Sequence, residues 1–126
     1  MKVPALAGAM LMAFGTSVLA GEDHGHGRVH HGGIAVEVRD VDFEMVGSND
    51  AITIYVRDHN KPVSTERATG KVTVLSGAEK SEAALVPAGD NKLTAKGGFK
   101  LAKGTKVVAL VELPGKKPFN VRFAVK

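Results

Sequence analysis

The sequence predicts an all-β protein, an immunoglobulin-like antiparallel β-sandwich of about seven strands. Short stretches with an apolar residue at every second position follow one another from Ile34 to the carboxyl terminus. Turn-forming residues interrupt these stretches roughly every 8 to 12 positions, which is typical of sandwiches and barrels. No stretch repeats with the longer period of an amphipathic helix. An open barrel is the second choice.

The first alternating stretch changes phase near Arg39 and Asp40, which predicts a β-bulge at that point. Its apolar positions are Ile34, Val36 and Val38 before the change and Val41, Phe43 and Met45 after it. The next stretch, 51–57, alternates without interruption and is rich in β-branched residues, so it is predicted as a strand. Turn formers follow it at 58–62.

The second half of the chain predicts five more strands, separated by turns that contain glycine or proline. The predicted strands are 70–75, 82–86, 92–96, 105–113 and 118–125. Their apolar faces carry enough large side chains for a core, at about 1.5–3 kcal/mol for each one fully buried. We therefore expect residues 34–126 to fold as one domain without the help of a metal ion.

Residues 1–20 are predicted to be a cleavable secretion signal. Lys2 precedes an apolar run that ends in the small-residue pattern Val18-Leu19-Ala20, as signal peptides do. Proline and glycine interrupt the run, so a membrane-spanning helix is the poorer interpretation, and no cysteine follows that could carry a lipid anchor. The predicted location is the periplasm, with no membrane attachment after cleavage.

Composition narrows the possible functions. The absence of cysteine excludes disulfides, thiolate metal sites and cysteine nucleophiles. The formal charge of +4 is modest and spread along the chain, so nucleic acid is not an expected partner. Ser, His and Asp occur in no recognisable nucleophile motif and no phosphate-binding loop is present, so the chain is predicted not to be an enzyme.

A histidine-rich segment, residues 21–33, follows the predicted signal and is expected to be a flexible tail. Four of the five histidines lie within eight residues of it, and it contains five glycines. Imidazole is the commonest protein ligand for transition metals, and carboxylates add oxygen ligands. The predicted metal ligands are His24, His26, His30, His31, Glu22 and Asp23.

The metal is predicted to be a divalent transition ion, with copper or zinc first and nickel or cobalt as alternatives. Cleavage after Ala20 is expected. Cleavage after Gly21 would instead place His24 third from a free amine, an arrangement that suits copper(II) or nickel. His59 lies in a predicted turn and joins the site only if that turn lies beside the tail. Asp40, Asp42 and Glu44 form an alternating acidic row, for which a charged solvent face is the favoured interpretation.

Several short motifs resemble small exported bacterial proteins associated with heavy-metal efflux systems, and part of their periplasmic adaptor subunits. The motifs are His31-Gly32-Gly33, Phe43-Glu44, Ile54-Tyr55-Val56-Arg57-Asp58 and Lys61-Pro62-Val63. The resemblance covers about half of residues 21–126 and implies a periplasmic metal-binding accessory. It implies an efflux component as partner and marks His31 and Glu44 as positions of interest.

Two functions are therefore expected from the sequence. In the first, the protein binds a divalent transition metal in the periplasm and buffers it or hands it to an efflux system. In the second, the sandwich is a protein–protein interaction module and the histidine-rich tail is incidental. Deletion of residues 21–33 separates the two, because only the first function depends on the tail.

Overall fold

A computed structural model of the chain describes residues 28–126, and these residues form nine β-strands and no helix. In chain order the strands are β1 (Ile34–Val38), β2 (Val41–Gly47), β3 (Ala51–Asp58), β4 (Lys61–Pro62), β5 (Thr69–Ser76), β6 (Glu79–Pro87), β7 (Lys92–Lys96), β8 (Lys106–Glu112) and β9 (Phe119–Ala124). The all-β prediction is confirmed, with nine strands in this part of the chain instead of about seven.

The strands form two antiparallel sheets that are joined along one side. The first sheet contains β1, β2, β3 and β7, with the short β4 paired to the end of β3. The second sheet contains β6, β5, β8 and β9. The last residues of β6, Val86 and Pro87, also pair with β7, and this connects the two sheets. The result is a sandwich whose sheet is nearly closed.

On the opposite side β1 and β9 lie next to each other, and no strand pairing joins them in the described residues. The side chain of Arg39 bridges this unpaired side. Its Nη2 donates hydrogen bonds to the carbonyl oxygens of Lys117 at 2.8 Å and Pro118 at 3.3 Å. Its guanidinium lies 4.0 Å from the ring centroid of Phe119, a favourable cation–π distance.

The core lies between the two sheets and consists of the inward residues of the alternating strands. The largest fully buried side chains are Phe43, Phe119, Ile52, Ile54, Leu85, Leu93, Val56, Val72, Val107, Val111, Val121 and Thr65. The rings of Phe43 and Phe119 meet across the core with their centroids 5.2 Å apart and tilted by 56°, as aromatic pairs prefer. Each sheet therefore buries one face against the other.

The predicted β-bulge near Arg39 and Asp40 is wrong, because β1 and β2 are joined by a two-residue hairpin turn. Val38 pairs directly with Val41, and φ is +50° at Arg39 and +69° at Asp40, which is the conformation of a type I′ turn. Paired residues place their side chains on the same face of a sheet. The apolar phase therefore changes across this turn without any extra residue in the strand.

The predicted tail, 21–33, is described only from Arg28 onward. The predicted signal segment and the proposed ligands Glu22, Asp23, His24 and His26 lie outside the described residues. Between residues 28 and 126 there is no helix of the length and apolarity needed to cross a membrane.

Gly70 provides a test of the packing in the second sheet. A Cβ at this position would collide with the backbone carbonyl oxygen of Leu110 on the neighbouring strand. We expect Gly70→Ala to lower the free energy of unfolding by about 1–3 kcal/mol, because backbone cannot move aside as a flexible side chain can.

The matched control is Gly98→Ala, where an added Cβ meets no atom within 4 Å. We expect this change to be neutral or to stabilise by about 0.4–1 kcal/mol, because alanine restricts the unfolded chain. Urea denaturation of both variants measures the difference. Equal effects of the two substitutions would contradict the described packing of β5 against β8.

Candidate functional site

The candidate site is built around Glu44, a carboxylate on the outer face of the first sheet. Glu44 alternates along β2 with the core residues Phe43 and Met45, so its side chain is directed away from the core. Its residue surface is nevertheless only 3 % exposed. The expectation of a solvent-exposed acidic row is therefore wrong for Glu44, because residues 30–33 cover it.

The chain that covers Glu44 supplies four hydrogen bonds to its carboxylate. Oε1 accepts the backbone N–H of His30 at 2.9 Å and interacts with Nδ1 of His31 at 3.1 Å. Oε2 accepts the backbone N–H of His31 and that of Gly33, each at 2.8 Å. An ionised carboxylate has about four lone-pair positions, so both oxygens are fully used.

These contacts shift the pKa of Glu44 below its usual value. Burial by itself raises the pKa, because it penalises the charged form, but the hydrogen bonds from His30, Gly33 and His31 outweigh this effect and lower it below 4.5. Hydrogen bonds from backbone N–H groups favour the charged carboxylate in this way. Glu44 is therefore ionised at neutral pH.

Gly33 allows the segment to approach β2 so closely. A Cβ at Gly33 would collide with the carbonyl oxygen of Met45 and would lie 2.9 Å from Cγ2 of Val46. Both contacts are closer than real Cβ atoms tolerate, and one of them is to backbone. Glycine at this position is thus needed for the backbone N–H to reach Glu44.

The ring of His31 lies flat against the ring of Tyr55. The two centroids are 3.6 Å apart and the planes differ by 8°. Tyr55 is the partner of Glu44 in the pairing of β2 with β3, so the carboxylate and the phenol ring form adjacent parts of one surface. Stacking and the Glu44 contact together fix both the plane and the rotation of the imidazole.

The contact with Glu44 also determines which nitrogen of His31 is available. An ionised carboxylate only accepts hydrogen bonds, so Nδ1 of His31 carries the proton. In the neutral ring Nε2 then has a free lone pair. The side chain of His31 is 34 % exposed, and no hydrogen bond to Nε2 is formed within residues 28–126. Nε2 is therefore the nitrogen that can bind a ligand.

His30 lies beside His31, with ring centroids 6.5 Å apart. Its residue surface is exposed, and its backbone is held by Glu44. The structure thus brings two of the predicted ligands together on the outer face of the first sheet. It describes no group of three or more His, Asp or Glu side chains within residues 28–126 that would hold a metal ion by themselves.

His59 lies in the turn between β3 and β4. Its Nδ1 contacts the carboxylate of Asp58 at 2.5 Å, and Lys116 lies 3.9 Å from the other Asp58 oxygen. His59 also lines a polar cleft together with Arg28. The turn therefore lies beside Arg28, the first described residue of the histidine-rich segment. This is the arrangement that the sequence-based prediction required for His59 to join the metal site.

No protein-family model, curated protein or solved structure matches this chain. The resemblance to exported efflux-associated proteins consequently remains a prediction from short motifs. Sequence reasoning marked His31 and Glu44 separately but missed Tyr55. If β2 and β3 had been paired in the correct register from the sequence, that register would have predicted that Tyr55 lies opposite Glu44.

Replacement of the central carboxylate tests the described contacts. We expect Glu44→Gln to lower the free energy of unfolding by about 1.5–3 kcal/mol, because backbone donors lose a charged acceptor. Asp42→Asn is the control, since Asp42 lies on the same strand face and has no partner among the described hydrogen bonds. Chemical denaturation measures the free energy of unfolding of both variants. An equal decrease in the two would contradict the proposed hydrogen bonds between residues 30–33 and Glu44.

The lowered pKa of Glu44 predicts a pH dependence of stability. The folded-state pKa lies below the usual 4.5, so the stabilisation by Glu44 is complete above that value and is lost as pH falls through the folded pKa. The difference in unfolding free energy between the wild type and Glu44→Gln should therefore shrink from about pH 6 to about pH 3. A difference that stays constant over this range would show that Glu44 is not responsible.

Proposed function

We propose that this protein binds a divalent transition metal ion through its histidine-rich segment, with His31 as the anchored ligand and His30, His24 and His26 as further ligands. The proposal rests on one observation above all. Nδ1 of His31 contacts a buried, ionised carboxylate, which leaves Nε2 as the free nitrogen.

A histidine held in this way is suited to metal binding. Histidines that ligate metals almost always give their second ring N–H to a carboxylate, a carbonyl oxygen or water, and this fixes the tautomer and raises the basicity of the ligand. Stacking on Tyr55 restricts the ring further. His31 therefore loses less freedom on binding than a histidine on an unattached chain would.

The remaining ligands come from the same segment. His30 is the immediate neighbour of His31, and only Gly27 to Val29 separate it from His26 in the sequence. Glycines on both sides of His26 give the backbone access to conformations that bring its imidazole towards the ion. Glu22 and Asp23 offer oxygen ligands of the kind that zinc accepts beside imidazole.

Nitrogen and carboxylate ligands without sulfur favour copper(II) and zinc, with nickel and cobalt(II) as weaker alternatives. The action proposed is binding and release, not turnover. The predicted secretion signal and the motif resemblance further support the proposal of a periplasmic protein that buffers the ion or passes it to a heavy-metal efflux system.

Metal titration tests the proposal. Calorimetry on residues 21–126 with zinc, copper(II), nickel and cobalt(II) should show saturable binding, micromolar or tighter, to at least one ion. We expect this binding to disappear when His24, His26, His30 and His31 are all changed to alanine. It should also weaken as the solution is made more acidic, because protons compete with the metal for imidazole nitrogen.

Two single variants make the test specific to the described site. Glu44→Gln should weaken binding by about 10- to 100-fold, as loss of a partner to a ligating histidine does. Glu112→Gln is the matched control, because it makes the same carboxylate-to-amide change at an exposed position on β8, and this variant should bind the metal as the wild type does. Absence of saturable binding to all four ions would reject the metal function.

Deletion of residues 21–33 is a less selective experiment than the point variants. It removes every hydrogen-bond donor that the structure gives to the Glu44 carboxylate. A buried carboxylate without partners is costly, so the deletion would disturb the sheet as well as the ligands. The fourfold histidine variant keeps the backbone donors and avoids this problem.

A further inference from the structure

A second surface of the protein has the features of a binding groove, and no histidine contributes to it. It lies between residues 62–66, which begin with the last residue of β4, and residues 87–91, which run from the last residue of β6 to the start of β7. We name it the Pro62–Pro87 groove after the two prolines that line it. Its volume is about 720 Å³, within the range of ligand-binding clefts.

One wall of the groove is fixed to the other by Thr65, which is fully buried. The Thr65 backbone N–H donates to the carbonyl oxygen of Asp90 at 3.1 Å. Its hydroxyl donates to the carbonyl oxygen of Lys92 at 2.7 Å. These bonds hold residues 62–66 against residues 87–91 at a defined distance.

Asn91 fixes the same region to β3. Its side-chain Nδ2 donates to the carbonyl oxygen of Val56 at 3.0 Å, and the backbone N–H of Val56 donates to the carbonyl oxygen of Asn91 at 3.0 Å. The rings of Pro62 and Pro87 restrict the backbone further. The groove is therefore formed before any ligand arrives, which reduces the entropy lost on binding.

The lining of the groove is apolar and negatively charged. Pro62, Val63 and Pro87 supply apolar surface. Glu66 and Asp90 supply two carboxylates, and no lysine or arginine lines the groove in the described residues. Neither carboxylate belongs to an ion pair within residues 28–126.

We infer that the Pro62–Pro87 groove binds a peptide segment of a partner protein in which a lysine or arginine is flanked by apolar residues. Opposite charge gives such a segment its specificity, and the apolar floor gives it surface to bury. The groove provides fewer than the three His, Asp or Glu ligands expected of a metal site. The chain's own segment 21–27 does not fit, because its charged residues are Glu22 and Asp23.

The inference is tested with a fluorescein-labelled octapeptide of alternating lysine and valine, and with the same peptide carrying glutamate for lysine. Fluorescence anisotropy should show saturable binding of the lysine peptide only. In ¹H–¹⁵N spectra the shifted amides should be those of Ser64, Glu66, Gly89 and Asp90. The double variant Glu66→Gln and Asp90→Asn should bind about fivefold more weakly, as expected for two exposed ion pairs.

The substitution at Asp90 is compatible with the fold, because φ there is +47° and asparagine accepts this conformation. The control is Glu79→Gln with Glu112→Gln, which removes the same charge from exposed positions on the second sheet. It should bind the lysine peptide within twofold of the wild type if the effect is local and not one of net charge.

Several results would overturn the inference. In the first, the lysine peptide shows no saturable binding, and in the second the double variant binds it as tightly as the wild type does. In the third the glutamate peptide binds equally well, and in the fourth the shifted amides lie outside the groove. Lysine methyl ester that shifts the same amides as strongly would identify a small amine as the ligand instead. A dimer whose interface amides are those of the groove would identify a second copy of the chain as its occupant.

Discussion

The arrangement of the candidate site follows from one constraint, that a buried carboxylate must have its hydrogen-bonding capacity filled. Glu44 lies on the outer face of the first sheet and is buried by residues 30–33, which precede the first strand of that sheet. Because the desolvation of an unpaired charge is costly, the segment and the carboxylate stabilise each other. The position of His30, the orientation of His31 and the requirement for glycine at position 33 are all consequences of this pairing.

The core of the sandwich is built without that pairing, although the pairing adds to the stability of the domain. Its core is formed by inward residues from both sheets, and the two sheets are continuous through β6 and β7. Loss of the Glu44 contacts would lower the stability of the domain and release a short segment from its outer surface, while the core between the sheets stayed in place. Binding at the segment and folding of the domain are therefore separable, in contrast to small domains that fold only around a metal.

The strand pattern could be predicted from the sequence because alternation reports which face of a strand is buried. The alternation could not show that Arg39 and Asp40 form a two-residue turn, because a turn and a bulge both shift the alternation of apolar residues by one position. Nor could it show that Glu44 is buried, because its cover comes from residues 11 to 14 positions earlier in the chain. Long-range docking of an irregular segment leaves no periodic signal.

The attachment point of the histidine-rich segment has a mechanical consequence. The segment continues directly into β1, an outer strand whose one pairing partner within residues 28–126 is β2. Glu44, however, ties it to β2, which pairs with strands on both sides. A mechanical force applied to the segment therefore acts first on β2, an interior strand. As long as the segment stays bound to Glu44, β1 is protected from being pulled off the edge of the sheet.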